Sequence, residues 1–280
     1  MADPKINPKP KQDPGIDLEP SCTAMQIVDG NNFLYNKLIK STDIYMIRHI
    51  IRDINSCIQR PVFVFDGANN DERRRKLFPG YKVRKNPPNE VQQNLYMMMR
   101  LVKALLLLTN SIQIEVPTYE ADDVIATLAK QRSKQGKAVR VITRDRDLAQ
   151  LACYQHVSVL SHYADALTPN LIRLQKTLVG DPSDCIPGIP GFGRIAFSNC
   201  NKGEFKQMLN HSEWHPRFDG PTLGVKDSIA NWISENFGLL KSYWQIVDLL
   251  EVPDEEIQKH MKVGQSNPDA VNNILREFML

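Results

Sequence analysis

The sequence predicts an α/β fold whose central, mostly parallel sheet carries helices on both faces. Four short apolar runs, at 25–28, 62–65, 139–142 and 157–160, alternate with segments of helical periodicity, and this alternation is typical of βαβ units. Three of the four runs are followed closely by an aspartate, namely Asp29, Asp66 and Asp145. Because ligands bind beyond the carboxyl ends of strands in such sheets, we expect these carboxylates to mark the functional site.

Helices are predicted between and after the apolar runs. Isoleucines at helical spacing predict a helix over 43–58, and a longer helix is predicted from about Asn89 to Leu108. Beyond residue 165 the sequence changes to helices separated by glycine and proline turns. Residues 221–280 are predicted to form further helices.

One helix start after residue 165 has a clear signal. Thr168 is a suitable N-cap, and Pro169 then occupies the first helical position, where its missing N–H costs nothing. The helix is predicted to run through Val179 and to stop at Gly180.

The composition bounds the class of protein. With 280 residues, of which 42% are hydrophobic, the chain can bury a sizeable core. A net charge of +3 does not by itself indicate a nucleic-acid binder, and no apolar run approaches the ~18 residues of a membrane span. The five cysteines lie far apart without a CxxC pair, which argues against zinc and against disulfides. We therefore expect a soluble, cytoplasmic protein without a membrane partner.

The first 23 residues differ from the rest of the chain. They carry five prolines interleaved with lysines. Such a segment cannot bury enough surface to offset the entropy of ordering it, so 1–23 are predicted to be a leader that is disordered or only loosely draped over the protein.

Acidic residues form the main candidate site. They are scattered along the chain but paired locally: Asp29, Asp66, Glu120, Asp122, Asp123, Asp145, Asp147, Asp181 and Asp184. Any one of them could be a turn former or a helix cap. Several carboxylates converging at one sheet edge would repel one another without cations. Oxygen ligands suit Mg²⁺ or Mn²⁺, and two or more such ions can activate a water and stabilise the leaving oxygen of a phosphodiester.

Two segments are candidates for contact with nucleic acid. Residues 73–85 hold seven cations and two aromatic residues, a mixture that matches phosphate contact and base stacking better than a plain solvated face does. The cations of its first part are Arg73, Arg74, Arg75 and Lys76. In the second segment, Gly188, Gly191 and Gly193 precede Arg194, and glycines allow backbone N–H groups to approach a phosphate closely.

In combination, these motifs resemble the 5′-nuclease superfamily, which includes the 5′-nuclease domain of bacterial DNA polymerase I, flap endonucleases and stand-alone bacteriophage 5′–3′ exonucleases. The matching pieces are VDGN at 28–31, VFDG at 64–67, RRKLFPGYK at 74–82, YEADDV at 119–124, TRDRDL at 143–148 and GDPSDCIPG at 180–188. They stand in the family's order and span roughly residues 25–200. No single piece is specific, but the combination is.

The resemblance implies two metal sites. The first would be formed by Asp29, Asp66, Glu120 and Asp122, and the second by Asp145, Asp147, Asp181 and Asp184, with Asp123 supporting either. It further implies an arch over the active site at about 68–95. In that arch Lys82 would contact the scissile phosphate, Tyr81 would stack on a base, and either Arg84 or Lys85 would supply a second cation.

The chain departs from the family pattern at the residues expected to grip the duplex. Cys185 replaces an asparagine, and Ile195 stands where a lysine is usual, with Arg194 beside it.

The resemblance implies a domain organisation. It consists of a PIN-like 5′-nuclease core over 24–165 and a helical DNA-binding part over 166–280, with a helix-hairpin-helix-type (helix-3-turn-helix) motif at about 178–200. The remaining length is too short for a polymerase domain, so we expect a free-standing, monomeric nuclease.

The expected activity is that of a metal-dependent 5′–3′ exonuclease or flap endonuclease in DNA replication or recombination. Its partners would be DNA with a 5′ end, nick or flap, RNA–DNA hybrids, and replication proteins. Two alternatives remain open: a PIN-type ribonuclease, and a DNA-junction binding protein without activity.

Overall fold

A computed structural model describes residues 17–39, 44–83, 88–160 and 168–277. Its centre is a six-stranded sheet in the order β5-β4-β1-β2-β3-β6. The strands are β1 (Met25–Asp29), β2 (Val62–Val64), β3 (Ile112–Ile114), β4 (Val139–Ile142), β5 (Val157–Leu160) and β6 (Met261–Val263). The pairs among β1 to β5 are parallel, and β6 pairs antiparallel with β3. The predicted α/β class is therefore confirmed.

The helices of the first part are α1 (Gly30–Leu38), α2 (Ile44–Asn55), α3 (Glu72–Leu77), α4 (Glu90–Leu105) and α5 (Ala121–Lys134). Those that follow are α6 (Ile172–Val179), α7 (Arg194–Asn199), α8 (Lys202–Asn210), α9 (Gly220–Leu223), α10 (Asp227–Glu235), α11 (Phe237–Ile246), α12 (Asp254–Lys259) and α13 (Pro268–Glu277). Short 3-10 turns cover Leu106–Leu108, Asp147–Cys153 and Pro169–Leu171. No helix among the described residues is long and apolar enough to cross a membrane.

Successive residues of the central strands face opposite sides of the sheet and so build two cores. On one side, Val28 and Phe63 pack with α1, α2, α4 and α13. On the other side, Ile27 and Val62 pack with α5. A third core joins α6, α8, α10 and α11. Burial on both faces explains why these strands read as continuous apolar runs rather than alternating ones.

Strands β3 and β6 were not predicted. Each has only three residues, and the middle residue of each, Gln113 and Lys262, is polar. Neither segment therefore carries the apolar run that marks a buried strand, and their pairing depends on contacts with residues distant in the sequence.

Two helix boundaries differ from the prediction. The helix expected over 43–58 ends at Asn55, and Ile58 is 70% exposed beyond it. The helix expected from Thr168 begins instead with a 3-10 turn at Pro169–Leu171, and the Thr168 side chain makes no capping hydrogen bond. The predicted stop at Gly180 is confirmed.

The end of the predicted leader is ordered. Residues 1–16 lie outside the described part, but Leu18 is buried in the core. Glu19 exchanges hydrogen bonds with the Gln26 side chain, and the carbonyl of Pro20 accepts from Ile58 N–H. The prediction of disorder is therefore wrong for 17–23, because one apolar side chain and several backbone groups find partners on the sheet.

The C-terminal residues return to the nuclease core. Strand β6 extends the sheet beside β3, and Val271 and Leu275 of α13 pack in the same core as β1. The predicted helical part over 166–280 therefore also contributes one strand, β6, and one helix, α13, to the sheet domain. The third core, which holds α6 to α11, is instead an insertion between two parts of one sheet domain.

Candidate metal centre

The sheet topology brings three aspartates to one edge. Strand β1 pairs in parallel with both β2 and β4, so their carboxyl ends lie side by side. Asp29 is the last residue of β1 and caps α1 by accepting from Asn32 N–H. Asp66 and Asp145 follow β2 and β4. The three carboxylates therefore lie at the edge of the sheet that was predicted from the strand ends.

Two groups of carboxylates are close enough to share a metal ion. Ligand oxygens of Asp122, Asp145 and Asp147 lie within 4.8 Å of one another, and so do those of Asp147, Asp181 and Asp184. Asp147 belongs to both groups. We call them the first and the second acidic group. Their all-oxygen donor set fits a hard divalent cation.

The electrostatics of Asp29 and of Asp122 in the first acidic group also fit a bound cation. Burial raises the pKa of Asp29 to about 7, and repulsion from Asp145 and Asp66 adds to this. Burial raises the pKa of Asp122 as well, together with repulsion from Asp145 and Asp29. A cation held between these oxygens would lower each pKa and relieve the repulsion.

Hydrogen bonds from three further residues hold the carboxylates of Asp29 and Asp66. Thr143 donates from Oγ1 to Asp29 Oδ2 at 2.9 Å, and the same Oγ1 accepts from Asp145 N–H at 2.8 Å. Asp66 accepts from Asn31 Nδ2 and from Ala121 N–H. The hydrogen bonds of Thr143 were not predicted from the sequence, because they form only when β1 and β4 are neighbours in the sheet.

Glu120 already has side-chain partners within the protein. Lys82 Nζ lies 3.0 Å from Glu120 Oε1 and 3.8 Å from Asp184 Oδ1. Tyr81 is buried and donates from its hydroxyl to the same Glu120 oxygen at 3.1 Å. The expectation that Tyr81 stacks on a base is therefore wrong, since its ring packs in the third core. Lys82 keeps 39% of its side chain exposed beside the acids.

Arg74 and Asp123 form a buried ion pair rather than functional contacts. Arg74 donates to both Asp123 oxygens, at 2.8 and 2.9 Å, and to the carbonyls of Ile246 and Asp248. Asp123 also accepts from Leu250 N–H. The predicted roles, phosphate contact for Arg74 and metal support for Asp123, are both wrong, because both charged groups already have their partners inside the protein.

Lys176 is a charged residue of the site that the sequence did not reveal. Its Nζ contacts Asp147 and lies 2.6 Å from Asp181 Oδ2 and 2.7 Å from Asp184 Oδ2. Burial alone would lower the pKa of this ammonium, but the three carboxylates raise it above its usual value. Lys176 is four residues after Ile172 and three before Val179, a spacing that places the three on one face of α6. This spacing is the feature of the sequence from which its inward orientation could have been predicted.

The other predicted cations differ in accessibility. Arg73, Arg75 and Lys76 are exposed on α3, and Arg75 also donates to the carbonyl of Tyr81. Arg84 and Lys85 lie outside the described residues. A cleft of about 1160 Å³ joins the acids to the cations, and its lining includes Asp66, Asp145, Asp181, Lys82, Arg75 and Arg194.

The glycine segment forms a tight hairpin between α6 and α7. Asp181 and Ile186 pair across it, while Gly188 and Gly191 have φ of 70° and 73°. A Cβ on Gly188 would lie 2.5 Å from Gly180 N. Arg194 starts α7 and Ile195 beside it is 79% exposed. Two helices therefore flank a hairpin here, and the isoleucine that replaces the usual lysine faces outward.

Comparisons with known proteins give one consistent result. Residues 24–177 match the family described as the 5′-3′ exonuclease, N-terminal resolvase-like domain. A 5′-3′ exonuclease of Aquifex aeolicus is 32% identical over 216 residues, which cover 68% of this chain and 73% of that protein. A thermostable DNA polymerase I of Thermus thermophilus is 37% identical over 145 residues, 48% of this chain but only 17% of the polymerase.

Two solved structures share the fold. The zinc-bound 5′-exonuclease of bacteriophage T5 matches with a TM-score of 0.59 at 18% identity and covers 91% of this chain and 98% of its own. A bacteriophage T5 flap endonuclease in a pseudo-enzyme–product complex with DNA and metal ions matches with a TM-score of 0.61 at 16% identity, covering 90% and 99%. At these identities the likeness concerns the fold alone.

Proposed function

Because this chain belongs to the 5′-3′ exonuclease family, we propose that it is a metal-dependent, structure-specific 5′-nuclease. It would hydrolyse DNA phosphodiesters from or near a 5′ end, as an exonuclease, a flap endonuclease or both. The observation that carries this proposal is the first acidic group, whose oxygens converge at the carboxyl edge of the sheet and open into the cleft.

Mg²⁺ or Mn²⁺ is the proposed cofactor. Asp122, Asp145 and Asp147 would hold one ion, with Asp29 and Asp66 around it. Asp147, Asp181 and Asp184 offer a second position. A bound ion would supply a water of lowered pKa and a positive charge for the leaving oxygen. The residues themselves keep the carboxylates in place, through Thr143 on Asp29 and Asp145 and through Ala121 N–H on Asp66.

The cations of the cleft would position the nucleic acid. Lys82 stands at the edge of the acids and is partly exposed, so it is the proposed contact to the scissile phosphate. Arg75 and Arg194 line the same cleft, and the hairpin with Gly188, Gly191 and Gly193 would contact the backbone of the duplex. We propose Arg73 and Lys76, both exposed on α3, as further phosphate contacts.

The test is product analysis on 5′-end-labelled duplex, nicked and 5′-flapped DNA with Mg²⁺. The wild-type chain should release products that carry a 5′-phosphate. Asp145→Asn should lower the cleavage rate by at least about 100-fold, because the site loses a charged ligand, while DNA binding stays measurable. Asp269→Asn, at an exposed residue of α13, is the matched control and should cleave like wild type. Full turnover by Asp145→Asn in Mg²⁺ would rule out the proposed site.

The same assay separates the remaining alternatives. A PIN-type ribonuclease would cleave single-stranded RNA in preference to flapped DNA, whereas the glycine hairpin favours a duplex substrate. A non-catalytic junction protein would bind DNA in a salt-sensitive manner and release no product at any Mg²⁺ concentration. RNA–DNA hybrids belong in the panel, because cleavage of their RNA strand is part of the proposed range.

A further inference from the structure

The second acidic group already contains a cation of the chain. Lys176 Nζ contacts all three carboxylates, Asp147, Asp181 and Asp184. An ammonium has three N–H donors and no acceptor, so three carboxylate oxygens match its donors one for one. Lys176 is only 9% exposed, which distinguishes it from a lysine that reaches the acids from solvent.

The first acidic group differs from the second in this respect. Within the described residues, no ion pair joins Asp122 or Asp145 to a lysine or arginine. In the part of the chain that the structure describes, Lys176 thus pairs with every member of the second acidic group but with only one member of the first, the shared Asp147.

A divalent ion and Lys176 compete for the same oxygens. Mg²⁺ requires its oxygen ligands at about 2.0–2.1 Å, and each second-group carboxylate already bonds to Nζ. To admit the ion, Lys176 has to leave three charge-assisted hydrogen bonds, or its charge has to remain next to that of the ion. In both cases the affinity of the second acidic group for a divalent ion is lowered.

We propose that Lys176 is a built-in cation of the second acidic group, so that the chain binds one divalent ion tightly and a second only weakly. The inference rests on the proposed function for its first metal position. Lys176 acts here as a positioning residue, since it holds Asp147, the carboxylate that both groups share, without itself belonging to the reacting atoms.

The test is a titration of the metal-free full chain with Mn²⁺. Electron paramagnetic resonance measures the free ion at each step. Wild type should bind one tight ion. Lys176→Met removes the charge but keeps an unbranched side chain, and it should lower the Kd of the second ion by at least about tenfold. Lys176→Arg keeps the charge and should behave as wild type. Lys134→Met, at an exposed lysine of α5, is the control for removing a positive charge elsewhere.

Folding of each variant is checked by circular dichroism, and Lys176→Gln replaces Lys176→Met if that variant does not fold. Two equally tight ions in wild type would overturn the inference and leave the proposed function standing. A folded Lys176→Met with the wild-type binding curve, or a Lys176→Arg that gains the second ion, would do the same. Failure of every variant and of wild type to bind Mn²⁺ would contradict the proposed function as well.

Discussion

At the scale of single residues, the acidic side chains differ by the partner that each one has. Glu120 and Asp123 face Lys82 and Arg74, whereas Asp122 between them faces other carboxylates. Successive residues at a helix start point in directions about 100° apart, so neighbours in the sequence meet different surroundings. This separates a proposed metal ligand from two acids that are paired with cations of the chain.

The raised pKa of Asp29 predicts how metal and pH together affect stability. Its pKa is about 7 in the folded chain against 3.8 as the ordinary value. Between these values the folded state binds more protons than the unfolded state, so the free energy of unfolding falls as pH rises. Added Mg²⁺ should oppose this, and the increase in melting temperature that Mg²⁺ gives should grow from about pH 5 to about pH 7.

Thermal melting in EDTA and in Mg²⁺ over this pH range checks the prediction. Asp29→Asn is the control, because it removes the titrating group and should flatten the decline in EDTA. A metal-free protein whose stability rises steadily between pH 5 and pH 7 would contradict the assignment of the sign.

At the scale of elements, one side chain joins three parts of the chain. Arg74 extends from α3 to Asp123 at the start of α5 and to the carbonyls that end and follow α11. Helix α3 is thereby attached to both the sheet domain and the inserted helices.

Arg74→Met should lower the free energy of unfolding by about 3–5 kcal/mol, because it leaves the Asp123 charge buried without its partner. Urea denaturation measures the loss. Arg73→Met is the matched control on the same helix; Arg73 is exposed and stacks over Tyr119, and its loss should cost less than about 1 kcal/mol. Equal effects of the two substitutions would show that Arg74 is not a buried link.

The geometry of the hairpin predicts that three glycine-to-alanine substitutions lower the free energy of unfolding by different amounts. Gly188→Ala should cost about 1–3 kcal/mol, because its φ is positive and the added Cβ would lie 2.5 Å from the Gly180 backbone. Gly191→Ala has the positive φ but open space, so its cost should be smaller. Gly193→Ala has neither restriction and should be close to neutral. Urea denaturation gives the order, and duplex affinity should fall in the same order if the hairpin binds the backbone.

At the scale of the whole molecule, the C-terminal segment closes the sheet domain. Strand β6 covers the edge of β3, and α13 packs its buried residues against the core that contains Val102 and Leu105 of α4. The inserted helices and the sheet should therefore lose structure together when this segment is weakened, since the chain that leaves the insertion completes the sheet.

Leu275→Ala tests this coupling. Leu275 is fully buried, so its truncation should cost about 2–5 kcal/mol and should lower the midpoint of a single urea transition. Val91→Ala removes apolar atoms at a residue of α4 that is 76% exposed and should change the free energy of unfolding by less than about 0.5 kcal/mol. A Leu275→Ala protein as stable as wild type would contradict the role assigned to α13.

The sequence by itself determined the α/β class, the strands β1, β2, β4 and β5, and the edge at which Asp29, Asp66 and Asp145 meet. These follow from local patterns, since apolar runs and strand ends can be read within a few residues. The stop at Gly180 is of the same kind.

Only the tertiary structure decided which charged residues are paired. In the sequence, Arg74 is one cation of a basic run and Lys176 is one lysine of a predicted helix. Their buried ion pairs become visible only when α5, α11 and the hairpin pack around them. The same holds for β3 and β6, whose pairing joins residues about 150 apart in the sequence. The physical reason is that burial and ion pairing depend on long-range contacts, which local periodicity does not encode.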